Sequence, residues 1–135
     1  MFKKKLSLIL LVMCILGIGT TNVFAASSGY SFYMEHRMVD GKANGEFHYL
    51  DEGNVIISGT GAIVGGVSTL PKRNVYFTLV KDGFFDREIG TVVGDEEGNV
   101  YAGCGSIYTG KYYLKIWITE EDGYYRSGWG QVYNN

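Results

Sequence analysis

A single two-sheet β-sandwich of about eight mostly antiparallel strands is the all-β fold this 135-residue sequence predicts. Three observations carry that expectation. From about residue 30 onward the chain falls into short runs rich in β-branched and aromatic residues. Clusters of Asp, Asn and Gly, the chemistry of tight turns, separate those runs at regular spacing. No segment repeats its apolar residues with a helical period over three turns. A small β-barrel satisfies the same pattern and is the alternative.

The strands are expected at 30–38, 45–50, 54–64, 74–81, 87–94, 99–107, 111–119 and 124–133. Each is bounded by a turn: Asp40-Gly41-Lys42, Asp51 to Asn54, Leu70-Pro71-Lys72, Asp82-Gly83, Glu96 to Asn99, Thr109-Gly110 and Glu121-Asp122-Gly123. No linker or shift in composition divides them.

The first 25 residues read as a secretory signal peptide. Lys3, Lys4 and Lys5 precede an apolar run from Leu6 to Ile18, and Val23-Phe24-Ala25 puts small residues at the first and third positions before a cut. The run is short for a membrane span. Cleavage is expected between Ala25 and Ala26, leaving 26–135 as one secreted domain with a loose start at 26–29. Met13 before Cys14 does not fit a lipidation motif, and the lysine-rich start is bacterial in style.

Removing that leader leaves nine basic against fourteen acidic residues, net −5. Such a balance argues against nucleic acid and against a membrane partner for the mature form. Cys104 is then the sole cysteine, so the core must hold the domain without an internal disulfide. A chain of this length buries more than roughly 60% of its unfolded surface, and 11 Tyr, 5 Phe and 2 Trp supply large rings for it. Cys104 shares a strand face with Val100 and Ala102, which reads as a buried, inert thiol. Self-association through an intermolecular Cys104 disulfide is the sharper reading.

An internal echo runs through the chain. Ser58-Gly59-Thr60-Gly61 matches Ala102-Gly103-Cys104-Gly105, and Ser127-Gly128-Trp129-Gly130 repeats the short pattern. Alternate residues of a strand share a face, so each copy has one face bare at two glycines. Shared strand grammar, with glycine letting the sheet bend or a neighbouring ring lie over it, is the plainer reading; a diverged duplication with a spacing near 44 residues is the alternative.

The last two strands are read as a hairpin with an even loop. Tyr112, Leu114, Ile116 and Ile118 then share an apolar face with Tyr125, Ser127 and Trp129, which makes Trp129 a core residue. Tyr113, Lys115 and Trp117 share the wet face with Tyr124 and Arg126. Exposed aromatic residues beside cations are frequent anchors for sugars and proteins. The candidate binding residues are therefore Tyr113, Trp117, Tyr124 and Arg126; cross-strand pairing that only stabilises the hairpin is the plain alternative.

Val75 to Leu79, Lys81-Asp82-Gly83, Gly90-Thr91-Val92 and Gly110 to Lys115 followed by Asp122-Gly123-Tyr124 resemble the grammar of Cna-B-type, transthyretin-like sandwich repeats. The resemblance covers about 74–125 and implies a surface stalk, adhesin module or pilin part. The family's internal acid after Tyr-x-Leu-Lys corresponds here to Ile116, so its isopeptide crosslink is not carried over.

Catalytic and metal chemistry find little support. There is no Gly-x-Ser-x-Gly, and Cys104 has a base only if His36 or His48 reaches it from far away in sequence. His36, His48, Glu35 and Glu46 lack a zinc spacing. The acidic turns at 51–54, 95–99 and 120–122 offer oxygens to calcium, yet Asp and Asn make such turns unaided. The reading is of a non-enzymatic, cofactor-free binding module for a cell-envelope glycan or a protein surface. A secreted effector (antimicrobial protein, toxin or enzyme inhibitor) and a self-assembling structural subunit are its rivals.

Overall fold

The alternating runs do form strands, and turns of the kind foreseen separate them. The computed structural model describes residues 25–135, so the signal peptide read at 1–25 lies outside the described residues except for Ala25. Nine strands follow: β1 (Ser27–Met34), β2 (Met38–Asp40), β3 (His48–Leu50), β4 (Gly53–Gly66), β5 (Tyr76–Lys81), β6 (Arg87–Val93), β7 (Val100–Ile107), β8 (Gly110–Trp117) and β9 (Tyr124–Asn134). They make two open sheets, one ordered β1-β9-β4-β7 and the other β2-β8-β5-β6 with β3 also on β8. The all-β sandwich is thus the observed architecture.

Nine strands replace eight because the first expected strand breaks at Glu35 to Arg37. Its front half joins one sheet, and Met38–Asp40 pairs with β8 in the other. The expected loose start at 26–29 is corrected as well. Ser27 to Tyr30 pair with Tyr133 to Gly130, and Asn134 donates its N–H to Ala26 O at 2.7 Å. The backbone of β9 offers unpaired groups along that side, and β1 satisfies them.

The last hairpin does not exist. β8 pairs with β2, β3 and β5, whereas β9 lies between β1 and β4 in the other sheet. Residues 118–123 cross from one sheet to the other. The inward phase of β8 is nevertheless the one expected: Tyr112, Leu114 and Ile116 are buried, with Ile118 just beyond. The phase of β9 is reversed. Arg126 and Val132 point inward with Gly128 and Gly130, and Trp129 points out.

The inward glycines explain the reversal. Tyr30 lies opposite Gly130, whose partner on β4 is Gly59; Phe32 lies opposite Gly128, whose partner is Gly61. A Cβ on Gly59 or Gly130 would collide with the Tyr30 hydroxyl, and one on Gly128 with the Phe32 ring. Two rows of paired glycines therefore make a thin floor over which Tyr30 and Phe32 sit. From there both rings reach Phe77 of the opposite sheet, at centroid distances of 6.0 and 6.2 Å. Leu79, Leu114, Ile57 and Val132 complete the interior around them.

Cys104 belongs to this interior. Its thiol donates to Gly90 O at 3.3 Å, where β6 and β7 meet at one flank of the sandwich. Burial raises its pKa above the ordinary value. A disulfide to a second chain would require this flank to open.

Candidate functional site

The four residues singled out from the sequence do not gather on one exposed face. Arg126 is fully buried. Its guanidinium bonds both carboxylate oxygens of Asp122, and also reaches Glu96 O at 2.7 Å and Arg73 O at 3.1 Å. It pins three loops together, and its charge is matched and hydrogen-bonded as burial demands. The arginine holds the Asp122 carboxyl below its usual range against the opposing effect of burial, with help from the Arg73 and Tyr124 N–H groups.

Tyr113 does lie on the outer side of its sheet, but the 41–47 loop covers it. Phe47 meets its ring edge-on at 6.2 Å, and its hydroxyl donates to Asp86 at 2.7 Å. Burial, then the Asp86 bond, pushes the phenol up to about 12. Asp86 is held down to about 2, chiefly by Lys42 and then by Tyr113. This network braces the 82–86 turn, whose Phe84 and Phe85 are almost wholly exposed. Trp117 is half-buried, stacked on Tyr76 at 4.6 Å, with its indole N–H donating to Thr78. Tyr124 is half-buried, its hydroxyl donating to Ser68 O and Lys72 lying over its ring.

A different surface emerges on the outer face of the β1-β9-β4-β7 sheet. Directly paired residues share a face, so the registers define its rows. One row runs Tyr33, Ser127, Ala62; the next Ser31, Trp129, Thr60. A third runs Gly29, Gln131, Ser58, Tyr101, and a fourth Ser27, Tyr133, Ile56, Gly103. Trp129 is 66% exposed, Tyr101 74% and Tyr33 53%. No residue in these rows is charged, although the chain carries 26 acidic and basic residues. At a strand spacing of about 4.8 Å and about 6.8 Å between rows, the aromatic residues from Tyr33 to Tyr133 span roughly 20 Å.

The neighbours of the rings are small and hydroxylated, which leaves the ring faces accessible. Ser31 and Thr60 flank Trp129, and a shallow depression between Ser58, Thr60 and Gln131 lies against it. Tyr33 donates its hydroxyl to Glu35 at the margin, at 3.0 Å. Tyr133 is linked through its hydroxyl to Tyr101, which raises its pKa. Rings and hydroxyls on this surface can stack on and hydrogen-bond a neutral partner; it has no group that would attract a charged one.

The signal for this face was present in the sequence but divided among four strands. In each, one alternate phase is free of charge and made mostly of Ser, Thr, Gly, Gln, Tyr or Trp, with Asn54 and Ile56 at one end of β4. The pairing of β9 with β1 and β4 brings those phases together, and that pairing was not legible.

Neither histidine joins a ligand cluster. His36 is exposed beside Glu121, and His48 is buried with Ser28 Oγ 2.7 Å from its Nδ1. Among the described residues, no group of three or more His, Cys, Asp and Glu side chains is placed to hold a metal ion. The acidic turns use their own oxygens: Asp95 accepts the N–H groups of Glu97, Gly98 and Asn99.

No protein-family model matches the chain, and no curated protein matches it. The resemblance to Cna-B-type repeats therefore rests on residue pattern alone. Among solved structures, the chain is similar to the Yersinia pseudotuberculosis-derived mitogen, with 14% identity and a TM-score of 0.43 over 81% of this chain and 86% of that one. A likeness this loose transfers no function.

Proposed function

We propose that the chain is an exported, non-enzymatic binding protein that holds a neutral polysaccharide against the outer face of the β1-β9-β4-β7 sheet. The leader pattern of Lys3 to Ala25 supports export. One observation carries the binding reading: exposed Trp129, Tyr33 and Tyr101 rise from an uncharged field of Ser, Thr, Gly and Gln. Flat rings bury the apolar faces of sugar rings, and the small hydroxylated neighbours and Gln131 meet their hydroxyl groups. The strands beneath are paired on both sides at β9 and β4, so the platform stands on rigid backbone.

The test is retention of residues 26–135 on cell walls and insoluble polysaccharides in a pelleting assay. Trp129→Ala should abolish retention. Tyr108→Ala, an exposed aromatic residue away from the platform, should leave it unchanged. Failure of the wild type to pellet on any of these materials would reject the reading.

A second reading, a protein-directed effector, draws on the hairpin tip. Phe84 and Phe85 are presented to solvent by a turn that Lys42, Asp82, Asp86 and Tyr113 hold in place. Exposed aromatic pairs of this kind anchor protein contacts. Activity on target cells that Phe84→Ala removes and Trp129→Ala spares would favour it.

A further inference from the structure

The open edge of β1 is built differently from the rest of the molecule. Because Asn134 donates to Ala26 O, the even-numbered residues of β1 form the hydrogen-bonded pairs with β9. The odd-numbered residues therefore aim their N–H and C=O away from the sheet. Ala25 is in that phase and uses both groups, on Tyr49 O and on the N–H of Asp51. Beyond it the partner strand departs, and the backbone groups of Gly29, Ser31 and Tyr33 face a trough.

That trough runs between β1 and the 38–48 segment of the opposite sheet. It consists of three contiguous depressions of about 400, 500 and 540 Å³. The first two share Ser31 and Glu46; the second and third share Tyr33, Val39 and Asn44. Glu35, Asp40 and Glu46 line it, and no lysine or arginine does. Phe47, Tyr33 and Trp129 add aromatic surface along its length.

We infer that this trough docks an extended, basic peptide segment of another protein, which adds a strand to the open edge of β1. Strand addition draws affinity from main-chain bonds and specificity from alternate side chains. Here the main-chain partners are Gly29, Ser31 and Tyr33. Glu35, Asp40 and Glu46 select lysine or arginine, and the rings accept apolar side chains between them. The occupant is a single strand because the 44–47 loop stands beside the edge. A second copy of the chain would bring a whole sheet against that loop. The trough shares Tyr33 and Trp129 with the outer-face platform, but the inference rests on the backbone edge of β1, so loss of strand addition and loss of polysaccharide retention are read separately.

The test uses synthetic nine-residue peptides with a fluorescent label, read by anisotropy. One alternates valine with lysine, one alternates valine with glutamate, and one is the lysine peptide N-methylated at every second amide. The lysine peptide should bind the wild type, more weakly as salt rises. The glutamate peptide should not bind, and N-methylation should weaken binding at least about tenfold. Glu46→Lys should weaken it similarly. Ser31→Pro removes an outward N–H at an edge position that tolerates proline, and should do the same while keeping the β1–β9 ladder. The inference is overturned by no binding of the lysine peptide, by equal binding of the glutamate peptide, or by indifference to N-methylation. A concentration-dependent dimer that Ser31→Pro converts to monomer would also overturn it, in favour of a second copy at the edge.

Discussion

Acid should destabilise this protein through one histidine. His48 is 3% exposed, with Ser28 as its hydrogen-bond partner and no carboxylate in contact. Burial lowers its pKa from 6.5 to about 4. Between those values the unfolded chain takes up a proton that the folded protein refuses, so stability falls as pH falls. The contribution is intact above pH 6.5 and stops changing below about pH 4, where the folded state is protonated too. From pH 7.5 to pH 4.5 the linkage relation gives a loss of about 2.5 kcal/mol from this residue alone. Urea denaturation at both pH values, for wild type and His48→Gln, isolates it. Glutamine stays neutral, so the variant should lose about 2.5 kcal/mol less than the wild type, while His36 and the carboxylates contribute equally to both. Parallel pH dependence in the two proteins would refute the reasoning, as would an NMR titration of the His48 ring centred near pH 6.5.

Other substitutions should report on the interior. Asp122→Ala leaves Arg126 buried without its counter-charge and should cost about 3–5 kcal/mol, measured by urea denaturation. Gly128→Ala forces a methyl group against the Phe32 ring and should cost about 1–3 kcal/mol. Gly103→Ala meets nothing within 4 Å and should stay within about 0.5 kcal/mol of wild type in the same assay. The Cys104 thiol should resist a disulfide-exchange reagent in the native protein at pH 8 and react promptly in denaturant; rapid native labelling would contradict its burial.

The strands were legible because their signals are local. Val75 to Leu79 or Tyr112 to Ile118 declare themselves by composition, and Asp82-Gly83 or Asp122-Gly123 mark where the chain turns. Pairing is not a local signal. The six residues after Trp117 have the composition of a hairpin turn, yet they cross to the other sheet, where β9 finds two partners instead of one. That error inverted β9, because a Trp outside and an arginine inside contradict ordinary preference. Both are allowed for reasons absent from the strand itself: Arg126 has Asp122, Arg73 and Glu96 around it, and Gly128 and Gly130 give up their volume to rings on β1. Val132, buried in the same phase as Arg126, was the available clue.

The place of β9 also bears on when this chain can acquire its shape. Strands β1 and β4 flank it, and neither pairs directly with the other. Until residues 124–134 have left the ribosome, β1 has no neighbour in its sheet and only β4 and β7 are paired there. Pairing Ser27 with Tyr133 closes residues 27–133 into one loop, a slow step that cannot precede synthesis of that segment. A nascent chain of this design therefore cannot complete the β1-β9-β4-β7 sheet before that segment is made, although β5, β6 and β8 already have one another as partners.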